Sequence, residues 1–227
     1  MADQSTLAEF FRRSFREAMK DVYTCVPGHV IAFDPDTQLA QLQIGIERVN
    51  ADGSTENIDP LIECPINFPG GDYLVEYQID PGTEGMIHFS QRCIDGWLNT
   101  GGVARNPILR FHDISDAYFV PGLRSQPNVL SNFQNNGVRL RNKAGDQFIW
   151  LKNNGDGEIT VNNLNINANI NHVGNTTQTG DHTSSGTVTG TTDVVAAGVS
   201  GKGHGHLPGA FTAGPVAVTG ISGTPSP

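Results

Sequence analysis

The sequence predicts a mainly β chain in three parts: a short N-terminal helix, a small closed barrel, and a thin shaft made of intertwined copies. Three observations carry this. A helical apolar period occupies only residues 5–21 and then gives way to short β-branched runs separated by turn residues. Aromatic residues almost stop after Trp150, where only Phe211 follows, so the last third lacks bulk for a core of its own. Charge fades over the same stretch, with Asp156, Glu158, Asp181, Asp193 and Lys202 alone beyond Lys152.

The N-terminal element, residues 1–21, contains "STLAEFFRRSFREAMKD". Thr6 and Glu9 have capping-box spacing, and Leu7, Phe10, Phe11, Phe15, Ala18 and Met19 form one apolar stripe. Arg12, Arg13, Arg16 and Lys20 lie on other faces. A helix of this kind either lies on a membrane surface or packs on its own domain, a sister subunit or an assembly neighbour, and the packing reading is favoured.

Residues 22–100 hold five strand candidates, "VPGHVIAFD", "LAQLQIGIERV", "LIECPI", "YLVEYQI" and "EGMIHFSQ", punctuated by "DPDT", "ADGST", "FPGGD" and "DPGTEG". Five short strands suit a small closed barrel of the OB-fold type. Such barrels often bind oligonucleotides or sugars. The net charge of −9 and the lack of any Lys/Arg cluster exclude nucleic acid as a partner, and the sparse aromatics favour a structural barrel. Cys25, Cys64 and Cys93 are odd in number, widely spaced and without a CxxC pair, which suits reduced thiols in a cytosol-made protein and argues against structural zinc. No apolar run is long enough to span a bilayer, and the N-terminus lacks a signal-peptide layout.

Residues 101–136 read as an ordered connector with no clear period. His112 beside Asp113 suggests a surface or interface pair more than acid/base chemistry, since adjacent residues in an irregular segment seldom face one substrate. Residues 137–200 read as the shaft. "VRLRNKAGDQFIWLKNNGDGEITVNNLNINANI" alternates apolar and polar residues around the hairpin signals "KAGD" and "NNGDG". Ile159 and Val161 share one parity, whereas Leu164, Ile166, Ala168 and Ile170 share the other, so a bulge or corner is expected at Asn162 and Asn163. The following Thr/Gly/Ser-rich stretch cannot bury enough surface singly. Disorder is one reading; the β-branched residues favour three chains sharing one narrow core.

Residues 201–227 form the expected apex and tip. In "GKGHGHLPG", His204 and His206 are i and i+2, so on an extended strand both face the same way, and Gly203, Gly205 and Gly209 leave room for close approach. Three copies would offer six imidazoles, an octahedral nitrogen shell for a first-row divalent metal. His172 and His182 are isolated and read as core or surface positions. After Leu207 no charged side chain occurs, which suits either entry into a lipid layer or a flexible tail.

Four segments in this order, "INFPGGDYLVEYQIDPGTEGMIHFSQRCIDGW" (66–97), "HDISDAYFVPGLR" (112–124), "NKAGDQFIWLKNNGDGEITV" (142–161) and the terminal "HGH" (204–206), make the chain resemble the central spike proteins of contractile-tailed bacteriophage baseplates. The resemblance implies a non-enzymatic homotrimer whose OB-fold attaches to tail hub and baseplate proteins and whose β-helix shaft pierces the host outer membrane. It further implies one iron ion per trimer, held by His204 and His206 of three chains, and a place at the distal tip of the virion's baseplate after assembly in the host cytoplasm. Residues 207–227 extend beyond the family's usual apex. The rival reading is a polysaccharide-degrading or carbohydrate-binding tail spike; it would need paired carboxylates, for which Asp113 with Asp116 and Asp156 with Glu158 are the close pairs available.

Overall fold

The N-terminal helix starts where its sequence signal places it. Glu9 N–H donates to Thr6 Oγ1 at 3.4 Å, and Thr6 N–H donates to Glu9 Oε2 at 2.9 Å, so two orphan donors are satisfied reciprocally. Helix α1 (Leu7–Met19) follows, and none of its residues is buried. The structure is a computed structural model and describes residues 6–50, 52–106, 108–202, 211–213 and 216–218. Its mainly β character and short N-terminal helix agree with the sequence reading.

Five strands build the principal sheet: β1 (Cys25–Asp34), β2 (Leu39–Ile44), β5 (Leu61–Pro65), β6 (Glu84–Phe89) and β7 (Ala117–Pro121), in the order β5-β2-β1-β6-β7. A small hairpin, β3 (Arg48–Val49) with β4 (Thr55–Glu56), lies between β2 and β5 in the chain. All neighbours in the large sheet are antiparallel. Alternation puts Leu42, Ile87, Val30 and Phe119 wholly inside, with Ala40, Ile44, Cys64 and Phe89 around them. The sheet curls into a half-barrel. Its two edges touch through a parallel bridge between Ile66 and Phe119 and an Asn67 N–H donated to Phe119 O at 2.8 Å. A register shift between Val30 and Ala32 bends β1 and helps the curl.

Two glycines set how tightly the sheet closes. A Cβ on Gly28 would collide with Gln43 O and the Ile87 side chain, and one on Gly85 with Val120 O and the Phe119 ring. Hydrogen there lets β1 and β6 carry bulky neighbours on the concave face.

The strand assignment differs from the sequence reading at two places, and at the first the run "LAQLQIGIERV" breaks after Ile44 into β2 and β3, which lie in different sheets. "YLVEYQI" is not a strand; its first residues form a tight hairpin tip with a single bridge between Gly70 and Leu74. The expected closed barrel is a half-barrel sheet whose fifth strand is β7, from the stretch read as connector. Tyr73, Leu74 and Val75 are consecutive apolar residues without alternation, whereas in β7 Ala117 and Phe119 face inward and Tyr118 outward. A six-residue helix, α2 (Asp95–Thr100), is also absent from the sequence reading.

After Phe119 the described residues bury no hydrophobic side chain. Strands β8 (Gly137–Arg141), β9 (Phe148–Lys152) and β10 (Gly157–Thr160) form an antiparallel meander through the two expected turns. The chain divides into units 1–164 and 165–227. In the second unit, two short pairs are formed, β11 (Val195–Ala196) with β12 (Val199–Ser200) and β13 (Phe211–Ala213) with β14 (Val216–Val218). Between β10 and β11 the described residues form no strand within the single chain. The expected metal ligands His204 and His206 lie outside the described residues.

Gly85→Ala is expected to destabilise the barrel by about 2 kcal/mol through overpacking against Phe119. A lowered urea midpoint with an unchanged slope checks it.

Candidate assembly surface

The β8–β10 meander is amphipathic in an inverted sense. Register pairs Val138 with Leu151, Leu140 with Ile149, and Ile149 with Ile159, so these five aliphatic side chains share one face. All five are 49–74% exposed, and no charged residue belongs to their set. The other face carries Arg139, Arg141, Phe148, Trp150, Lys152, Glu158 and Thr160, and these are the half-buried residues.

The charged face covers itself. The Arg139 guanidinium lies 3.7 Å from the Phe148 ring centroid and 5.3 Å from that of Trp150, while Lys152 Nζ lies 4.6 Å above Trp150. Lys152 Nζ also reaches Glu158 Oε2 at 2.7 Å, and this bond holds the Glu158 carboxyl below its usual range. The β8–β9 turn is pinned by side chains: Asn142 Oδ1 accepts Gly145 N–H at 2.8 Å, and Arg141 Nη2 donates to Lys143 O at 2.8 Å. The result is a covered polar face and a bare aliphatic one.

A second cluster joins the barrel to α2. Asp116 is fully buried and receives Arg110 Nε at 3.0 Å, Arg110 Nη2 at 2.8 Å and Ile94 N–H at 3.0 Å. Burial pushes the Asp116 carboxyl up, yet the bonds from Arg110 and Ile94 outweigh it and leave the group below its usual value. Cys93, Asp95 and Asp116 bring potential ligand atoms within 4.8 Å of one another. Arg110 Nη2 occupies the cation's role among them, at 3.2 Å from Cys93 Sγ and 3.0 Å from Asp95 Oδ2. Burial raises the Cys64 thiol to about 12, which suits an inert core thiol.

The other sequence candidates have local partners. His112 Nδ1 lies 3.1 Å from Tyr23 O, and Asp113 Oδ1 accepts Ser115 N–H at 2.8 Å in a turn. Asp156 Oδ2 accepts Asn154 Nδ2 at 2.8 Å. His172 and His182 are exposed. The Asp116 ion pair escaped the sequence reading, which took that residue as a loop carboxylate.

Residues 26–122 match the family model described as phage protein Gp138 N-terminal domain. The matched span runs from the start of β1 to just past β7, so it coincides with the curled sheet. The match supports a bacteriophage protein with a structural or tail role. No curated protein matches the chain.

Asp116→Ala would leave Arg110 without its buried partner and is expected to cost about 3 kcal/mol, read as a fall in the urea midpoint. Because the Asp116 pKa is lowered on folding, its contribution is present above the unfolded value of 3.8 and is lost as pH falls through the folded value. The parent should therefore show a larger acid-side loss of stability than Asp116→Ala, which keeps only the losses due to other carboxyls held low, such as Glu84.

Proposed function

We propose that this chain is the central spike of a phage contractile-tail baseplate, a non-enzymatic homotrimer driven through the host outer membrane by sheath contraction. The observation that carries this reading is the bare aliphatic face of β8–β10. A three-stranded sheet that covers its charged side and exposes its hydrocarbon side is half of an interface. Copies of the same chain supply the missing cover with no charge to repel them.

The strand order and the parallel bridge at Ile66 and Phe119 support an OB-type base that would face the hub. The donor set of the sequence suits a metal: three copies of His204 and His206 would offer six imidazole nitrogens, suited to iron or another first-row divalent ion. When bound, the ion would cross-link three chains where hydrocarbon burial is unavailable. Each carboxylate of the two pairs that a polysaccharide-cleaving spike would need has a local partner instead.

Two measurements test the proposal. The parent should sediment as a trimer, and Leu140→Asp with Ile149→Asp should shift it to monomer while the barrel stays folded. A monomeric parent overturns the reading. His204→Ala with His206→Ala should abolish iron, measured by elemental analysis at about one ion per three chains in the parent; equal iron in both proteins overturns the apex assignment.

A further inference from the structure

The barrel unit carries two more uncovered apolar surfaces, and they are opposite in charge. The first is the hairpin tip at residues 69–76. Gly71 N–H donates to Tyr73 O at 3.1 Å and Val75 N–H to Pro69 O at 3.0 Å. Gly70 has φ 145°, and a Cβ there would collide with the Leu74 backbone, so only glycine closes this turn. Below the tip, Tyr77 packs on Phe68 at 5.2 Å, Phe68 on Phe33 at 6.4 Å, and Tyr77 Oη donates to Asn67 O at 2.7 Å. This rigid platform presents Tyr73, 95% exposed, beside exposed Leu74 and Val75. Asp72 and Glu76 flank them, and neither makes a side-chain hydrogen bond or ion pair among the described residues.

The second surface is helix α1. Leu7, Phe10, Phe11, Phe15 and Met19 are all exposed along one stripe. Glu9 is used by the cap and Glu17 by Lys20 at 2.7 Å, which leaves Arg12, Arg13 and Arg16 without a close ion pair among the described residues. The helix is therefore an apolar stripe with basic flanks on a protein whose net charge is −9.

We propose that the residue 69–76 tip of one copy docks on helix α1 of the neighbouring copy of this chain, Tyr73, Leu74 and Val75 meeting the apolar stripe while Asp72 and Glu76 meet its arginines. Complementary charge selects this occupant, and the glycine-locked tip loses little entropy on docking. The tip belongs to a neighbour for a topological reason. Helix α1 enters the sheet at the Cys25 end of β1, whereas the tip is anchored at the Phe33 end, roughly 25 Å along the strand. Two unlike patches on one chain make a heterologous contact, which closes into a ring when the rotation between copies divides a full turn and otherwise runs on as a filament. For the number of copies in that ring, the inference rests on the threefold assembly proposed above.

The test uses the full chain carrying Cys25→Ser, Phe10→Cys and Leu74→Cys; Cys25 is the exposed native thiol, and Cys64 and Cys93 are buried. Mild oxidation should give disulfide-linked dimers and trimers on a denaturing gel. A control pairing Phe10→Cys with Val49→Cys, an exposed position on the β3–β4 hairpin, should yield about tenfold less interchain product. Adding Asp72→Lys and Glu76→Lys should cut the linked product by a similar factor, and further adding Arg12→Glu and Arg16→Glu should restore it. Sedimentation of the same protein separates the outcomes. A trimer with no interchain disulfide, or with an intrachain one only, overturns the docking and leaves the assembly standing. A monomer overturns both.

Discussion

Among the described residues hydrocarbon burial is confined to one place, and the rest of what they form follows from that limit. Among the described residues, every buried hydrophobic lies between Val30 and Phe119. That stretch can afford a folded unit because its five strands curl until β5 and β7 touch, so that one concave face is sealed by its own side chains. Helix α1 and the β8–β10 meander have no such closure. A three-stranded sheet with one bare face gains too little from its own contacts to hold its shape in water, and a neighbour's apolar surface is the natural remedy.

Within the barrel, two devices of different chemistry fix the geometry. Gly28 and Gly85 remove side-chain bulk where a Cβ would collide with β2, β6 and β7, and the ion pair of half-buried Arg110 with buried Asp116 fastens the loop before β7 to the segment leading into α2. The ion pair is specific because its parts are mutually necessary. Arg110 spends its fork on both Asp116 oxygens and extends to Asp95 and Cys93, so the loop has one geometry that satisfies all four groups. The strand that completes the sheet thus emerges from a loop held by charge.

These two devices also explain what the sequence could and could not disclose. The capping box at Thr6 and Glu9, the strands at β1, β2, β5 and β6, and the turns of the β8–β10 meander are local signals, and each appears where its residues place it. Strand β7 was hidden because five residues with a Pro end, following an irregular loop, show too short an alternation to stand out. The run at Tyr73 to Ile79 misled in the opposite direction: its composition is strand-like, but Gly70 and Gly71 bind it into a tip. Asp116 carried no periodic signal at all. Its role depends on Arg110 and Ile94, which sequence spacing does not connect to it. Of the candidate apex, the composition discloses a donor set and nothing of its geometry.

The inverted meander adds a constraint of size to that of burial. Its bulky rings, Phe148 and Trp150, stand on the face already occupied by Arg139 and Lys152, whereas the uncovered face holds only Val, Leu and Ile. In the proposed threefold assembly the space per copy would shrink as the axis is approached, so branched aliphatic side chains could be shared among copies there where indoles and guanidinium groups could not. The cations have a further reason to stay outside, since three like charges converging on an axis would repel in a medium of low dielectric. An arrangement with rings and cations outward and slim hydrocarbon inward is the one that the proposed shared core would demand, and Ile166 and Ile170, aliphatic and exposed in the single chain after the parity change beyond Val161, would suit the same core.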